Sequence, residues 1–339
     1  MDTFEKQSLI STLEKVKKGL ATRELIEQSS SFIFEKGHVC TYNDEIFARA
    51  PMKTGFTGVV EAEPLLKLLS KIKDTEITFA VTDNELQIKG KKFSSGILFK
   101  KEILIPIDEV HIPKKFKPLP SNFTQQAKLA CLTAGISLHE PLLTCVHIFE
   151  NKVESCDNDR ITICTLDSKI DADILIPASN MLKLCDEKLS EYSVDQSWIH
   201  FKTQDGVFLS TRLFSDNYVD LQQFIPKRTK GTEITFPKTM ETILDRADIF
   251  SKDATSQEKI VTLSFRNGKM TVGAKNDKGW FKEKSKSNFD EQFAFTINIE
   301  FMKDILKITN SISLVENSLY FRTENSIHLI KLDEDDIPF

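Results

Sequence analysis

SSFIFEKGHVCTYNDEIFARA (residues 30–50) alternates apolar and polar side chains, breaks at Lys36-Gly37, alternates again, and breaks a second time at Asn43-Asp44. Alternation bounded by such residues is a strand-turn-strand pattern, because Asn, Asp and Gly tolerate the positive φ that tight connections demand. The same arrangement returns as TCVHIFENKVESCDNDRITICTL (144–166) and VTLSFRNGKMTVGAKNDKGWFKE (261–283). The first turns fall at Lys36-Gly37, Asn151-Lys152 and Asn267-Gly268, and the second carry Asn43-Asp44, Asn158-Asp159 and Asn276-Asp277, so both landmarks recur every 115 to 118 residues. A fixed period of this length marks a repeated architecture.

Working outward, each hairpin block is preceded by a segment with apolar residues at three- and four-residue steps: 4–20, 123–137 and 237–252. Each is followed by another, at 63–73, 179–189 and 299–309, entered from a short apolar strand. This spacing predicts amphipathic helices. Pro64 and Pro237 suit first helical turns and Ser179 suits an N-cap. A last hairpin closes each unit: EITFAVTDNELQIKG, WIHFKTQDGVFLSTRL and SLYFRTENSIHLIKL. The chain therefore reads as an α+β protein of three similar domains, each a half-motif used twice, at 1–114, 121–228 and 232–332. The stretches IPKKFKPLPSN and PKRTKGTE form the boundaries, and an acidic tail, 333–339, follows.

Length and composition suit a globular protein: 339 residues, 40% apolar and 28% charged, with a net charge of −5. No apolar run approaches a membrane span, and the charged start MDTFEKQSLI lacks the apolar core of a signal peptide, so a cytoplasmic protein is expected. The six cysteines form no CxxC pair and sit in apolar-periodic segments, which predicts reduced core thiols. The six histidines lie in no metal-binding or nucleophile motif, and there is no Gly-rich phosphate loop. Neither an enzyme nor a bound cofactor or metal is expected.

Cations recur in register on the predicted helices. Lys67, Lys183 and Lys303 occupy one aligned place in the second helices, with Lys71, Lys188 and Lys307 four or five residues on. The first helices add Lys15 and Lys18 in the first unit and Arg246 in the third. Single lysines on helices are ordinary solvated surface. A set repeated in register on an acidic chain is the asymmetry expected where one surface faces a polyanion.

In its threefold unit and helix-strand-helix order the chain resembles the bacterial DNA sliding clamp, the DNA polymerase III beta subunit, along essentially its whole length. CDNDRIT (156–162) stands where that family carries Thr-Asp-Gly-His-Arg-Leu-Ala and keeps Asp157 and Arg160. DNYVDLQQFIP (216–226) stands where it carries Gly-x-Tyr/Phe-Pro-Asp-Tyr-x-x-Val-Ile-Pro and keeps Tyr218, Asp220, Ile225 and Pro226, with Phe224 as an apolar equivalent. Asn158 and Asp159 replace Gly-His, Asp216 replaces Gly and Val219 replaces Pro, departures that fit a divergent, phage-encoded or mobile-element clamp better than a standard chromosomal one.

The resemblance implies a ring with helices lining the channel and strands outside, encircling duplex DNA without sequence preference. Six helices at about 10 Å intervals enclose a free channel of only about 9 Å, less than duplex DNA needs, whereas twelve leave about 28 Å. One chain is then half of a head-to-tail homodimer, which closes by twofold symmetry. These nine cations, Lys15, Lys18, Lys67, Lys71, Lys183, Lys188, Arg246, Lys303 and Lys307, would line the channel. Ile97 and Phe99 would meet Ile249 and Phe250 of a second copy across the seam. DNA polymerase and a clamp loader would be partners, a short apolar peptide docking at Arg160, Ile161, Pro226, Leu329 and Leu332. The family's closing Met-Pro-x-Arg-Leu is replaced here by HLIKL (328–332). DEDDIPF (333–339) resembles the acidic tip of bacterial single-stranded-DNA-binding proteins. Asp335, Asp336, Ile337, Pro338 and Phe339 would then attract host proteins that read that tip, unless the segment only solubilises or folds back into a pocket. A clamp-shaped decoy that occupies replication partners, and an enzyme on a repeated α+β scaffold, are the alternatives.

Overall fold

The computed structural model describes residues 1–227, 231–252, 258–315 and 317–332. These form two compact units: Met1–Cys131 with Leu138–Val153 and Leu166–Tyr218, and Leu132–Ser137 with Glu154–Thr165 and the described residues from Val219 on.

The first unit holds four helices, α1 (Lys6–Val16), α2 (Ala62–Lys71), α3 (Phe123–Ala130) and α4 (Ala178–Leu184). Its strands are β1 (Asp2–Glu5), β2 (Ser31–Glu35), β3 (His38–Tyr42), β4 (Ile46–Pro51), β5 (Gly58–Glu61), β6 (Glu76–Val81), β7 (Glu85–Lys89), β8 (Ser94–Lys100) and β9 (Lys117–Pro118). Two long strands, β10 (Cys145–Cys156) and β11 (Arg160–Pro177), give residues to both units, and β12 (Leu189–Val194), β13 (Trp198–Thr203) and β14 (Phe208–Arg212) complete the first. Twelve strands form one sheet in the order β1-β6-β7-β8-β5-β2-β3-β4-β14-β13-β12-β9. The sheet is continuous from the first repeat into the second because Ile46–Arg49 of β4 pairs antiparallel with Phe208–Thr211 of β14.

In the second unit β15 (Thr232–Thr235) precedes α5 (Met240–Asp248), then β16 (Ile260–Arg266), β17 (Lys269–Asn276), β18 (Gly279–Lys286), β19 (Phe293–Asn298), α6 (Ile299–Leu306), β20 (Ser311–Val315), β21 (Ser318–Arg322) and β22 (Ser326–Lys331). One sheet runs β18-β17-β16-β19, and β22, β21, β20 and β15 follow one another in a second. Arg160–Cys164 of β11 pairs with β22, from Arg160 opposite Ile330 to Cys164 opposite Ser326. The hairpin turn predicted at Asn267-Gly268 forms with both residues at positive φ, 50° and 67°.

The helices appear in the predicted order, each burying an apolar stripe. Ala62, Leu65 and Leu69 face inward from α2, Met240, Ile243, Leu244 and Ala247 from α5, and Ile299, Met302 and Ile305 from α6. The α5 and α6 stripes meet Val261, Leu263, Phe265, Met270 and Val272 from one face of the β18-β17-β16-β19 sheet in a single core. All six cysteines are buried, and none is in a disulfide. Burial pushes the Cys164 and Cys185 thiols up to about 12.

Several helix boundaries differ from the sequence expectation. The helix expected over 123–137 ends at Ala130 and tightens into a 3₁₀ turn at Cys131–Thr133. The one expected over 179–189 ends at Leu184, and it begins at Ala178, so Ser179 lies inside α4 and the N-cap position belongs to Pro177. Asn298, by contrast, caps α6 by accepting from the Glu300 amide at 3.0 Å. Among the described residues, no helix is long and apolar enough to cross a membrane.

Candidate functional site

Most of the cations predicted to face a polyanion meet carboxylates instead. On α1 and the turn after it, Lys15 bonds Asp205, and Lys18 lies 3.5 Å from both Asp186 and Glu187. On α2, Lys67 pairs with Glu63 one turn earlier. In the second unit the Lys303 ammonium bonds Asp245 at 2.9 Å, Lys307 bonds Asp304 at 2.8 Å, and Arg246 takes Glu283 in a two-pronged pair at 2.6 to 3.0 Å. The Asp245 hydrogen bond raises the Lys303 pKa, and the hydrogen bond from Lys15, aided by one from Thr203, holds the Asp205 carboxyl below its usual range. Lys71, Lys183 and Lys188 are exposed and form no ion pair among the described residues. Lys188 lies beyond the end of α4, so it does not share a helix face with Lys183 as the spacing had suggested.

A second constellation is built around Arg160. Asp157 closes the turn between β10 and β11: its Oδ1 accepts from the amides of Asp159 (2.9 Å) and Arg160 (2.7 Å), and its Oδ2 accepts from Arg160 Nε (3.0 Å). This fixes the first half of the guanidinium. Asp304 on α6 takes the other side at 3.1 Å, and the guanidinium carbon lies 3.8 Å from the centre of the Phe301 ring. Arg160 is only 8% exposed, so two carboxylates and a π-face together replace its hydration. Beside it, Ile161, Phe301, Ile305, Ile308, Phe321 and Leu329 wall a narrow apolar cavity of about 20 Å³, room for roughly one water. Of the residues that the resemblance places at a docking site, Arg160, Ile161 and Leu329 line this cavity. Pro226 and Leu332 do not line this cavity. Leu332 is 4% exposed and packs in the core of the second unit, a correction that strand parity explains, since its neighbour Lys331 takes the exposed side. Phe301, which underlies the guanidinium, carried no sequence signal beyond helical spacing.

His328 also lines this cavity and is buried. Its Nδ1 lies 2.8 Å from Thr162 Oγ1 and its Nε2 2.9 Å from Ser326 Oγ, with the ring stacked on Phe321. Burial lowers its pKa to about 4, so the ring is neutral at physiological pH. In the first unit Ser210, His200 and Asp195 form a similar line, at 2.8 and 3.1 Å. The order imitates a hydrolase triad, but Ser210 and His200 have no exposure and their line satisfies polar groups inside the sheet.

No family model matches this sequence, and no curated protein does. Solved structures match over nearly its full length. The beta chain of DNA polymerase III from Streptococcus pneumoniae is 19% identical with a TM-score of 0.82, over 98% of this chain and 99% of that one. The sliding clamp of Bartonella birtlesii, solved bound to griselimycin, is 14% identical with a TM-score of 0.82, over 98% of each chain. The beta subunit of Streptococcus pyogenes is 17% identical at 0.78, over 98% and 99%. The chain has the sliding-clamp fold.

Within that clamp fold the four residues expected at a seam are not equivalent. Ile249 is 70% exposed, at the end of α5, and Ile97 is half-buried on β8. Phe250 is half-buried against the core of the second unit. Phe99 is 3% exposed and its ring sits edge-on to Phe56 at 5.8 Å, so it is a core residue and not a surface one. The alternation of β8 turns Leu98 outward instead, and on β18 it turns out Trp280. Both are large exposed apolar side chains that sequence parity could have identified once the strands were placed. Asp335, Asp336, Ile337, Pro338 and Phe339 lie outside the described residues.

Proposed function

We propose that this chain is a DNA sliding clamp, two copies of which close head to tail around duplex DNA and tether a polymerase and other replication or repair proteins to it. The observation that carries this reading is the fold match over 98% of the chain, at TM-scores up to 0.82, to DNA polymerase III beta subunits. The three domains at 1–114, 121–228 and 232–332 belong to it. So do the twelve inward helices of a dimer, which leave a channel of about 28 Å at ordinary helix spacing. Lys71, Lys183 and Lys188 would act on the DNA directly, while the ion-paired cations would soften the attraction and leave retention to topology. With no phosphate-binding loop of its own, the ring would be opened by a clamp loader in the cytoplasm.

The pairing pattern supports head-to-tail closure. The fourth strand of the first repeat (β4) pairs with the last of the second repeat (β14), and β11 of the second repeat pairs with β22 of the third. The corresponding strand of the third repeat, β18, ends its sheet with one edge unpaired, and the equivalent partner, β8, pairs along Ser94–Leu98 only with β7. Joining β18 to β8 of a second copy would complete the series, with Leu98 and Trp280 covering each other and Ile97, Ile249 and Phe250 nearby. Partner peptides would enter beside Arg160, Ile161 and Leu329 by displacing the Phe301 ring. The tail from Asp335 to Phe339 would recruit host proteins that read single-stranded-DNA-binding tips, as suits a phage or mobile-element clamp.

The test is retention on circular against linearised DNA after loading. A clamp stays on the circle and runs off the ends. Equal loss from both would favour the second reading, a clamp-shaped decoy that occupies replication partners, which the neutralised helix cations support.

A further inference from the structure

The alternation that sends Val261, Leu263, Phe265, Met270 and Val272 toward α5 and α6 turns a second set outward from the same four-stranded sheet. Directly paired residues share a face, so the register defines it. Arg266 lies opposite Lys269, which lies opposite Lys286; Thr271 lies opposite Lys284, and Gly273 opposite Lys282. Lys275 completes the set. Glu283, of opposite parity, confirms the division because it reaches back to Arg246 on α5. The outward positions of β16, β17, β18 and β19 carry no Asp or Glu, and none of the six cations forms an ion pair among the described residues.

We propose that this outward face binds single-stranded nucleic acid through its phosphodiester backbone, independently of any ring. Lysines on an edge strand commonly block aggregation, and that role covers Lys282, Lys284 and Lys286 of β18. It does not cover Arg266 and Lys269, which lie on interior strands. Like charges directly opposite one another destabilise a sheet, yet Arg266, Lys269 and Lys286 stand in one row across three strands. A local rule broken without an internal partner is expected where an external one supplies the compensation. The face is also concave: Arg266, Lys269, Lys282 and Lys284 surround a depression of about 470 Å³ whose floor includes Ser264 and Thr271, hydroxyls that can donate to phosphate oxygens. A row spanning two strand spacings is about 10 Å long, so its three cations can follow successive phosphates of one backbone. The cations project from the face of β18 while its unpaired backbone edge lies in the plane of the sheet, so a strand-to-strand seam leaves them free.

The experiment measures anisotropy of a labelled twenty-nucleotide dT oligomer with the full chain at 50 and 200 mM salt. The variant Arg266→Gln/Lys269→Gln/Lys286→Gln loses three phosphate contacts, so the slope of log affinity against log salt falls by about 2 and the oligomer binds at least tenfold more weakly at 50 mM. Removing the like-charge row leaves the melting temperature unchanged or higher, which separates lost binding from lost folding. A companion variant at three exposed lysines of the first unit, Lys36→Gln/Lys91→Gln/Lys92→Gln, keeps the oligomer affinity within about twofold, whether or not the chain proves to be a clamp. Unchanged affinity in the sheet variant overturns the proposal. So does a loss confined to a twenty-base-pair duplex, or stronger binding of poly-aspartate than of the oligomer at the same face, which would make the ligand an acidic peptide.

Discussion

Acidification acts on His328 in a way its surroundings allow to be worked out. The imidazole joins three strands: it lies opposite Thr162 of β11 and Phe321 of β21, and it bridges the hydroxyls of Thr162 and Ser326. Either hydroxyl can donate or accept, so the neutral ring is satisfied. A protonated ring would be a buried charge whose hydrogen-bond partners are two hydroxyls and no carboxylate. The folded pKa of about 4 lies below the ordinary 6.5, so between these values the unfolded chain takes up a proton that the folded chain refuses. The neutral ring's full contribution is therefore present above pH 6.5, declines as the pH falls toward 4, and is flat below that. Between pH 7.5 and pH 5 the loss from this one group is about 2 kcal/mol. His200, whose pKa burial also lowers, adds to the same trend, so the informative quantity is the difference between wild type and His328→Gln. Glutamine keeps a donor and an acceptor but does not titrate. Urea unfolding at a series of pH values should show the wild type losing about 2 kcal/mol more than the variant over that range. Histidine hydrogen-deuterium exchange followed by mass spectrometry should assign His328 a pKa well under 6. Parallel pH profiles for the two proteins, or a His328 pKa near 6.5, would refute the reasoning.

Arg160→Met should destabilise the second unit by about 2–4 kcal/mol in chemical denaturation, because it strands Asp157 and Asp304 and removes the cation from Phe301; Asp304→Asn in the same background should add little, as coupled partners do in a double-mutant cycle. Leu332→Lys places an ammonium in the core and should lower the melting temperature of the whole protein, and a normal melting temperature would contradict the burial assigned to it. Gly58→Ala puts a Cβ into the Phe99 ring, with the Lys100 carbonyl 2.6 Å away, and should cost about 1–3 kcal/mol measured by urea unfolding. Ile249→Lys, at an exposed position, should leave the melting temperature of the isolated chain within a degree or two while shifting sedimentation from dimer to monomer if the seam is as proposed.

The repeat and its contents were legible in the residues themselves. Turn chemistry at Lys36-Gly37 and Asn267-Gly268, alternation in the hairpins and three- and four-residue spacing in the helices are local properties, set by φ preferences and by which side of an element a side chain leaves. They gave six helices in order and the hairpins around them. Asp157 and Arg160 were marked by the resemblance in CDNDRIT, and the structure adds that one carboxylate holds both the Arg160 amide and its guanidinium. What the tertiary structure decided is which charges remain free. Lys15 and Asp205 are separated by 190 positions, and Arg160 and Asp304 by 144, so no local pattern signals that these cations are already matched. The outward row of Arg266, Lys269 and Lys286 depends likewise on strand register, since a slip of one residue would send these side chains into the core. Leu332 and Phe99 read as surface candidates in one dimension and prove to be core, because burial is a property of what packs from elsewhere in the chain. Periodicity specifies the two sides of an element; only the long-range contacts that fill one side and leave the other to water specify which charges a partner can still reach.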